Sequence, residues 1–245
     1  MDRIFIFLNA SLSLCILNVF AAPYENTIPP EILNNYEKSI VSGERPTVIK
    51  ITQSMIFELR DNKNLNADIY VLDFDVDNLS SAQEDIVPNW IKKGNNILLW
   101  GKSQVSKYAI LFDSNNMINA SYIDDEIEFS YKTVEKIIFE THPVNTGVSV
   151  NKLIPFDRLN PFPLSGVKIE SNSVIAPTKY PEKSEIIISG VTDGARFPLV
   201  GRIPYEKGNI YFASFDERSF SGADCDRWTL NFYHWMLGFP IPEDK

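Results

Sequence analysis

The stretch from Ala67 to Gly101 constrains the fold more than any other part of the chain. A short apolar run, Ile69–Leu72, ends in an acidic loop, a helical segment follows, and a second apolar run occupies Ile97–Trp100. Two buried strands joined by one helix form a parallel crossover, which needs a sheet covered on both faces. The fold class expected is therefore α/β. Ser80 with Gln83, and Ser81 with Glu84, offer two overlapping capping boxes at the start of that helix. Ile86, Val87, Trp90 and Ile91 fall on one face. Lys92 and Lys93 suit the negative C-terminal end, and Gly94 suits a left-handed closing residue. Pro88 lacks an amide hydrogen, so a break is expected near Glu84–Asp85.

The first residues have the pattern of an export signal. Arg3 supplies a positive start, Ile4–Phe20 is mostly apolar, and Val19-Phe20-Ala21 fits a cleavage site. Asn9, Ser11, Ser13 and Asn18 interrupt the run, which is shorter than the roughly 20 apolar residues of a membrane span. Residues 1–21 are read as a cleaved secretory signal, 22–45 as an N-terminal arm with a helix at Glu31–Ile40, and 46–245 as one α/β domain. The expected location is secreted or periplasmic, with no membrane insertion after cleavage. Loss of Cys15 with the signal leaves Cys225 alone, so no intramolecular disulfide can form. A net charge of −9 and the lack of a basic cluster argue against nucleic acid as a partner.

Downstream, strands are expected at Pro46–Ile51, Tyr108–Phe112, Ile127–Tyr131, Val134–Phe139, Ser173–Ala176, Glu185–Ser189, Pro198–Ile203 and Asn209–Ser214. A helix and loop are expected over Ser54–Asn66, with Met55, Ile56 and Leu59 facing inward. Tyr205-Glu206-Lys207-Gly208 suggests a hairpin whose turn the glycine supplies. A closing helix over Asp226–Leu237 carries Trp228, Phe232, Trp235 and Met236 in one stripe, stopped by Gly238 and Pro240.

Several pieces recur together in one family. They are Lys93-Gly94-Asn95-Asn96-Ile97-Leu98-Leu99, His142-Pro143 with Gly147, Gly208-Asn209-Ile210-Tyr211-Phe212, and Trp228 through Asn231, Phe232 and Trp235 to Gly238. Over roughly Val48–Gly238 the chain resembles the class I glutamine amidotransferase-like fold, nearest its trehalose-utilisation-protein-like branch of non-amidotransferase domains. The resemblance implies a flavodoxin-like three-layer sandwich with a mainly parallel sheet and a C-terminal hairpin plus helix. Amidotransferases of that fold carry a G-x-C-x-G nucleophile elbow. Here the comparable turn is Trp100-Gly101-Lys102-Ser103-Gln104, with neither the cysteine nor the second glycine.

Candidate chemistry is sparse. Ser103 needs a base in contact, and only His142 and His234 exist. His142 precedes Pro143, which holds it extended, and its side chain is expected at a strand end bonding a loop carbonyl. Asp73, Asp75, Asp77 and Glu84 fall at positions 1, 3, 5 and 12 of a calcium-loop spacing. Asn78 stands where that loop wants glycine, and the alternative is a solvated acidic loop in which Asp77 or Ser80 caps the next helix. Asp124-Asp125-Glu126 with Glu128 forms a second acidic cluster, and Cys225 has only Arg227 nearby to lower its pKa. Sequons stand at Asn78-Leu79-Ser80 and Asn119-Ala120-Ser121.

These residues suggest an exported, non-catalytic binding or accessory module. Its ligand edge would hold Lys102 and Ser103, with His142 near and Asp73, Asp75 and Asp77 in the adjoining loop. No cofactor is expected apart from the calcium option, and the partners would be a small ligand or an envelope or extracellular protein. The alternatives are a hydrolase of a small molecule or sugar, using the aspartates with a metal or His142 as base, and an envelope subunit docking through Phe156, Phe162 and Phe239.

Overall fold

The computed structural model describes residues 48–60, 65, 67–113, 127–146, 173–214 and 223–241. The signal segment, the arm with its Glu31–Ile40 helix, the Asp124-Asp125-Glu126 cluster, the Asn119 sequon, Gly147, Phe156 and Phe162 lie outside them.

The apolar run after residue 46 forms β1 (Val48–Thr52), and the two runs of the crossover form β2 (Ile69–Asp73) and β3 (Asn96–Trp100). Helix α1 (Ile56–Arg60) joins β1 to β2. The helix between β2 and β3 is split into α2 (Ser81–Glu84) and α3 (Ile86–Lys92), with Asp85 at the break. That is where Pro88 forces it: the proline sits in the first turn of α3, where its missing hydrogen costs no helical bond. Of the two capping boxes only the first is used. The Gln83 Oε1 accepts from the Ser80 amide at 3.0 Å and from the Ser80 hydroxyl at 2.9 Å. Gly94 closes α3 with φ of 116°, and its amide donates to the Ile91 carbonyl at 2.9 Å.

Helix α4 (Lys102–Tyr108) follows β3 and runs into a 3-10 turn at Ala109–Leu111. The strand expected at Tyr108–Phe112 is therefore helical. Its apolar residues are buried by helical spacing, with Val105, Tyr108 and Phe112 all inside. The remaining strands are β4 (Glu128–Thr133), β5 (Lys136–Phe139), β6 (Ser173–Lys179), β7 (Glu185–Thr192), β8 (Ala195–Tyr205) and β9 (Gly208–Ala213). The closing helix α5 spans Ala223–Leu237, so Cys225 lies in its first turn instead of the preceding loop.

Seven strands form one sheet in the order β1-β2-β3-β9-β8-β7-β5, and β4 and β6 form a separate antiparallel pair. From β1 to β9 the pairings are parallel, and from β9 to β5 they are antiparallel. Five strands, β1, β2, β3, β9 and β7, thus share one direction.

Alternation along each strand divides the core. Ile51, Tyr70, Leu72, Ile97, Leu99 and Phe212 face α1, α3 and α4. Ile69, Leu98, Trp100, Tyr211 and Ala213 face α5. The sheet is covered on both faces, as the crossover requires. Because β1, β2 and β3 step across the sheet in one direction and crossovers keep one hand, α1 and α3 fall on the same face. No helix among the described residues is long and apolar enough to cross a membrane.

Candidate functional site

The helices that follow the neighbouring parallel strands β3 and β9 leave toward opposite faces. Helix α4 packs with Leu99 and Phe212, and α5 packs with Trp100 and Ala213. In open α/β sheets such a divergence marks the place, beyond the carboxyl ends of the two strands, where ligands are taken.

Main-chain bonds fix its floor. The Gly101 amide donates to the Ala213 carbonyl at 2.9 Å, and the Ser214 amide donates to the Leu199 carbonyl at 2.7 Å. Gly101 has φ of 97° and ψ of 156°, a conformation open to glycine, and it starts α4 directly behind β3. The loop after β2 is tied to the same wall. The Tyr108 hydroxyl donates to the Phe74 carbonyl at 2.9 Å and accepts from the Phe74 amide at 3.0 Å, with the two rings edge-on at 5.2 Å. The loop after β2 is thus tied to the end of α4. Lys102 is half-buried and Ser103 exposed at the start of α4.

Two buried polar atoms at this edge have no hydrogen-bond partner. One is Oγ of Ser214, a residue 1% exposed, and the other is Oε1 of Gln104, 7% exposed. An unmade bond at a buried polar atom costs about 1–3 kcal/mol, so such atoms mark a place where a ligand atom or water gains most. On β1, away from this edge, burial holds the Lys50 ammonium below its ordinary pKa, and the Asp73 carboxylate partly offsets this.

The carboxylates of the calcium-loop spacing are not gathered into one group in the structure. Among the described residues no group of three or more His, Cys, Asp or Glu side chains is gathered to hold a metal, and this includes Asp73, Asp75, Asp77 and Glu84. Asp75 instead accepts from the Asn78 side-chain amide at 2.8 Å and precedes a 3-10 turn, Val76–Asn78. Glu84 is carried away on α2. A strand entering the loop, in place of a helix, leaves the carboxylates spread along the chain.

His142 belongs to another part of the sheet. It caps a 3-10 turn, Pro143–Asn145, with extended backbone (φ −145°, ψ 143°), and its Nδ1 accepts from the Val144 amide at 3.2 Å. It thus receives a loop amide and does not donate to a carbonyl. The neutral ring carries its proton on Nε2, which lies 3.6 Å from Glu185 Oε2. Glu185 also accepts from Arg202 and, at 3.1 Å, from Trp235 Nε1. Glu185 opens β7 while Lys102 lies beyond the end of β3, so His142 and the Lys102–Ser103 pair sit at opposite ends of strands that run the same way. Ser103 has no histidine base here. His234 closes α5 structurally, with Nδ1 2.7 Å from the Pro240 carbonyl.

Ser214, Gln104 and Tyr108 carried no sequence signal as site residues. Ser214 matters because β9 lies beside β3, and a pairing between segments so far apart in the chain has no local signature.

No family model matches the chain, and no curated protein is similar to it. Solved structures resemble it at low identity. The cytoplasmic protein STM1381 from Salmonella typhimurium LT2 is 10% identical, with 84% of this chain and 82% of that one covered and a TM-score of 0.37. A putative ThuA-like protein from Bacteroides uniformis ATCC 8492 is 11% identical, with 81% and 94% covered and a TM-score of 0.38. The cytoplasmic protein STM3548 from Salmonella typhimurium is 12% identical, with 83% and 85% covered and a TM-score of 0.33.

Proposed function

We propose that this chain is an exported binding or accessory module. It takes a small polar ligand at the carboxyl edge between β3 and β9, on an amidotransferase-like, flavodoxin-like frame of the trehalose-utilisation-protein-like kind. The observation that carries the reading is the divergence of α4 and α5 around that edge, with the buried Ser214 hydroxyl left without a partner beside it. The turn at Gly101 keeps the sharp entry into a helix but offers Lys102 and Ser103 in place of a thiol nucleophile. A binding role needs only donors and acceptors there, and Lys102, Gln104 and Ser214 supply them.

A small-molecule screen by ligand-observed NMR, run on the full chain, tests this. A hit should lose about tenfold in affinity in Ser214→Ala or Lys102→Ala and keep it in His142→Gln. Hits that are unaffected by the first two variants would overturn the assignment of the edge. Turnover of a hit would move the protein to the hydrolase reading.

A further inference from the structure

His142 stands where a single proton would undo a joint between α5 and the sheet. It caps the 3-10 turn Pro143–Asn145, and the capping atom is its ring Nδ1, which accepts from the Val144 amide at 3.2 Å. Preferred caps use a hydroxyl, carboxylate or amide oxygen, which keeps its lone pairs near neutrality. An imidazole nitrogen gives up its lone pair on protonation. The imidazolium has two N–H donors and no acceptor, so no rotation of the ring serves the Val144 amide once the second proton is on. Val144 is 0% exposed, so water does not reach that amide while the turn stays closed.

The charged groups that face the ring are Glu185 from β7, whose Oε2 lies 3.6 Å from Nε2, and Arg202 from β8, which donates to the same carboxylate. Helix α5 contributes the uncharged indole of Trp235, edge-on to the imidazole at 5.1 Å and donating to Glu185 at 3.1 Å. The Tyr211 phenol of β9 stands behind that indole, edge-on at 5.3 Å. Glu140, two residues before His142, is engaged with Ser189 and Arg196. Glu185 thus answers the proton on Nε2, and Nδ1 faces only the amide. Burial holds the imidazole below its ordinary pKa, with Glu185 working against this and Arg202 with it. The ring is therefore neutral near pH 7 and takes its second proton only in acid.

What this turn holds is α5. The carbonyls of Val144 and Thr146 accept from Asn231, and the Asn145 side chain accepts from Trp228 while donating to the carbonyls of Glu140 and Ile187. The turn is closed by two further bonds, from the Asn145 amide to the His142 carbonyl at 2.9 Å and from the Thr146 amide to the Pro143 carbonyl at 3.0 Å. All of these fix residues 144–146, the ones that must shift if the Val144 amide is to find water.

We propose that the turn at residues 142–146 is an acid-released latch for α5: a proton gained at His142 Nδ1 uncaps the turn and loosens the helix from the sheet. The test uses the full chain. NMR of the ring nitrogens follows His142 and His234 from about pH 7.5 to about pH 5, and amide exchange is read over the same range, corrected for the pH dependence of free-peptide exchange. At the upper end His142 should carry its proton on Nε2. As Nδ1 gains a proton, protection of Val144–Thr146 and of Trp228–Trp235 should fall about tenfold with the same midpoint, while β2 and β3 keep theirs. His142→Asn places an amide oxygen, which does not titrate, where Nδ1 stood, and should keep the turn without the pH step. Coincident midpoints in the parent decide the matter even if that variant does not fold. A ring that takes no proton before the chain unfolds, a titration that leaves the turn protected, an equal loss in β2 and β3, or a step that persists in His142→Asn would overturn the proposal.

Discussion

At the residue scale, two positions show how a side chain's role depends on what lies opposite. Gly208 looks like a turn glycine, yet the left-handed residue of that hairpin is Glu206. Gly208 is needed for space, because a Cβ there would run into the backbone carbonyls of Ile91 and Asn95. Gly208→Ala is expected to lower stability by about 1–3 kcal/mol in urea unfolding, whereas Gly238→Ala, with open space around it, loses only its positive-φ preference. A Gly208→Ala chain as stable as the parent would refute the close approach. His142 gives a pH dependence. Burial outweighs the attraction of Glu185 and, with Arg202 opposing protonation, holds the imidazole below its ordinary value. The unfolded chain then binds a proton near pH 6.5, before the folded one does. Stability is complete above that point, declines as pH falls below it, and levels off once the pH is under the depressed folded value. From about pH 7 to about pH 5.5 the thermal midpoint of the parent should drop more than that of His142→Gln. Parallel profiles would show that His142 does not titrate differently in the folded chain.

At the element scale, α5 is docked by amide side chains as much as by its aromatic stripe. The Asn231 Nδ2 donates to the carbonyls of Val144 at 2.9 Å and Thr146 at 3.1 Å, and Trp228 Nε1 donates to Asn145 Oδ1 at 2.8 Å. Asn145 in turn donates to the carbonyls of Glu140 at 2.7 Å and Ile187 at 3.0 Å, so the short turn beginning at His142 joins α5 to β7. Asn231→Ala should cost about 1–3 kcal/mol by denaturant titration because it strands buried carbonyls. A change within error would mean that the aromatic contacts of Phe232 and Trp228 with Trp100 hold the helix alone. The split between α2 and α3 predicts the opposite kind of result. Because the chain already breaks at Asp85, Pro88→Ala restores no missing bond, and its effect should stay below the roughly 3 kcal/mol of a mid-helix proline. A large stabilisation would show that the proline strains the helix.

At the scale of the whole molecule, β3 and β9 lie inside the seven-stranded sheet, covered on both faces, while β1 and β5 are its edges. Amide hydrogen exchange should be slowest in β3 and β9 and faster in the edge strands β1 and β5. Equal protection would argue against a sheet that opens from its edges. The two ends of these central strands differ in chemistry. The carboxyl end offers Lys102, Gln104 and Ser214, and the amino end brings together charges of both signs, Arg60, Lys92, Lys93 and Lys207 with Asp85 and Glu206. Much of the frame is legible in the chain because its causes are local. The apolar runs of β2 and β3, the reciprocal pair Ser80–Gln83, the break enforced by Pro88 and the stop at Gly94 each depend on residues within a turn or two. The same locality misled at Tyr108–Phe112, where an apolar run is a helix end buried by neighbours far away in the chain. The carboxylate spacing from Asp73 to Glu84 could not be turned into a geometry in the same way: spacing along a chain gathers side chains only if the backbone curls around one point, and here a strand is followed by a broken helix. The sequence by itself determined the α/β class, the strand–helix–strand unit from β2 to β3 and the absence of a cysteine from the turn at Gly101, since propensity, periodicity and residue identity are written in it. Only the tertiary structure decided that β9 lies beside β3 and that His142 is remote from Lys102, because long-range pairing depends on how whole faces bury one another.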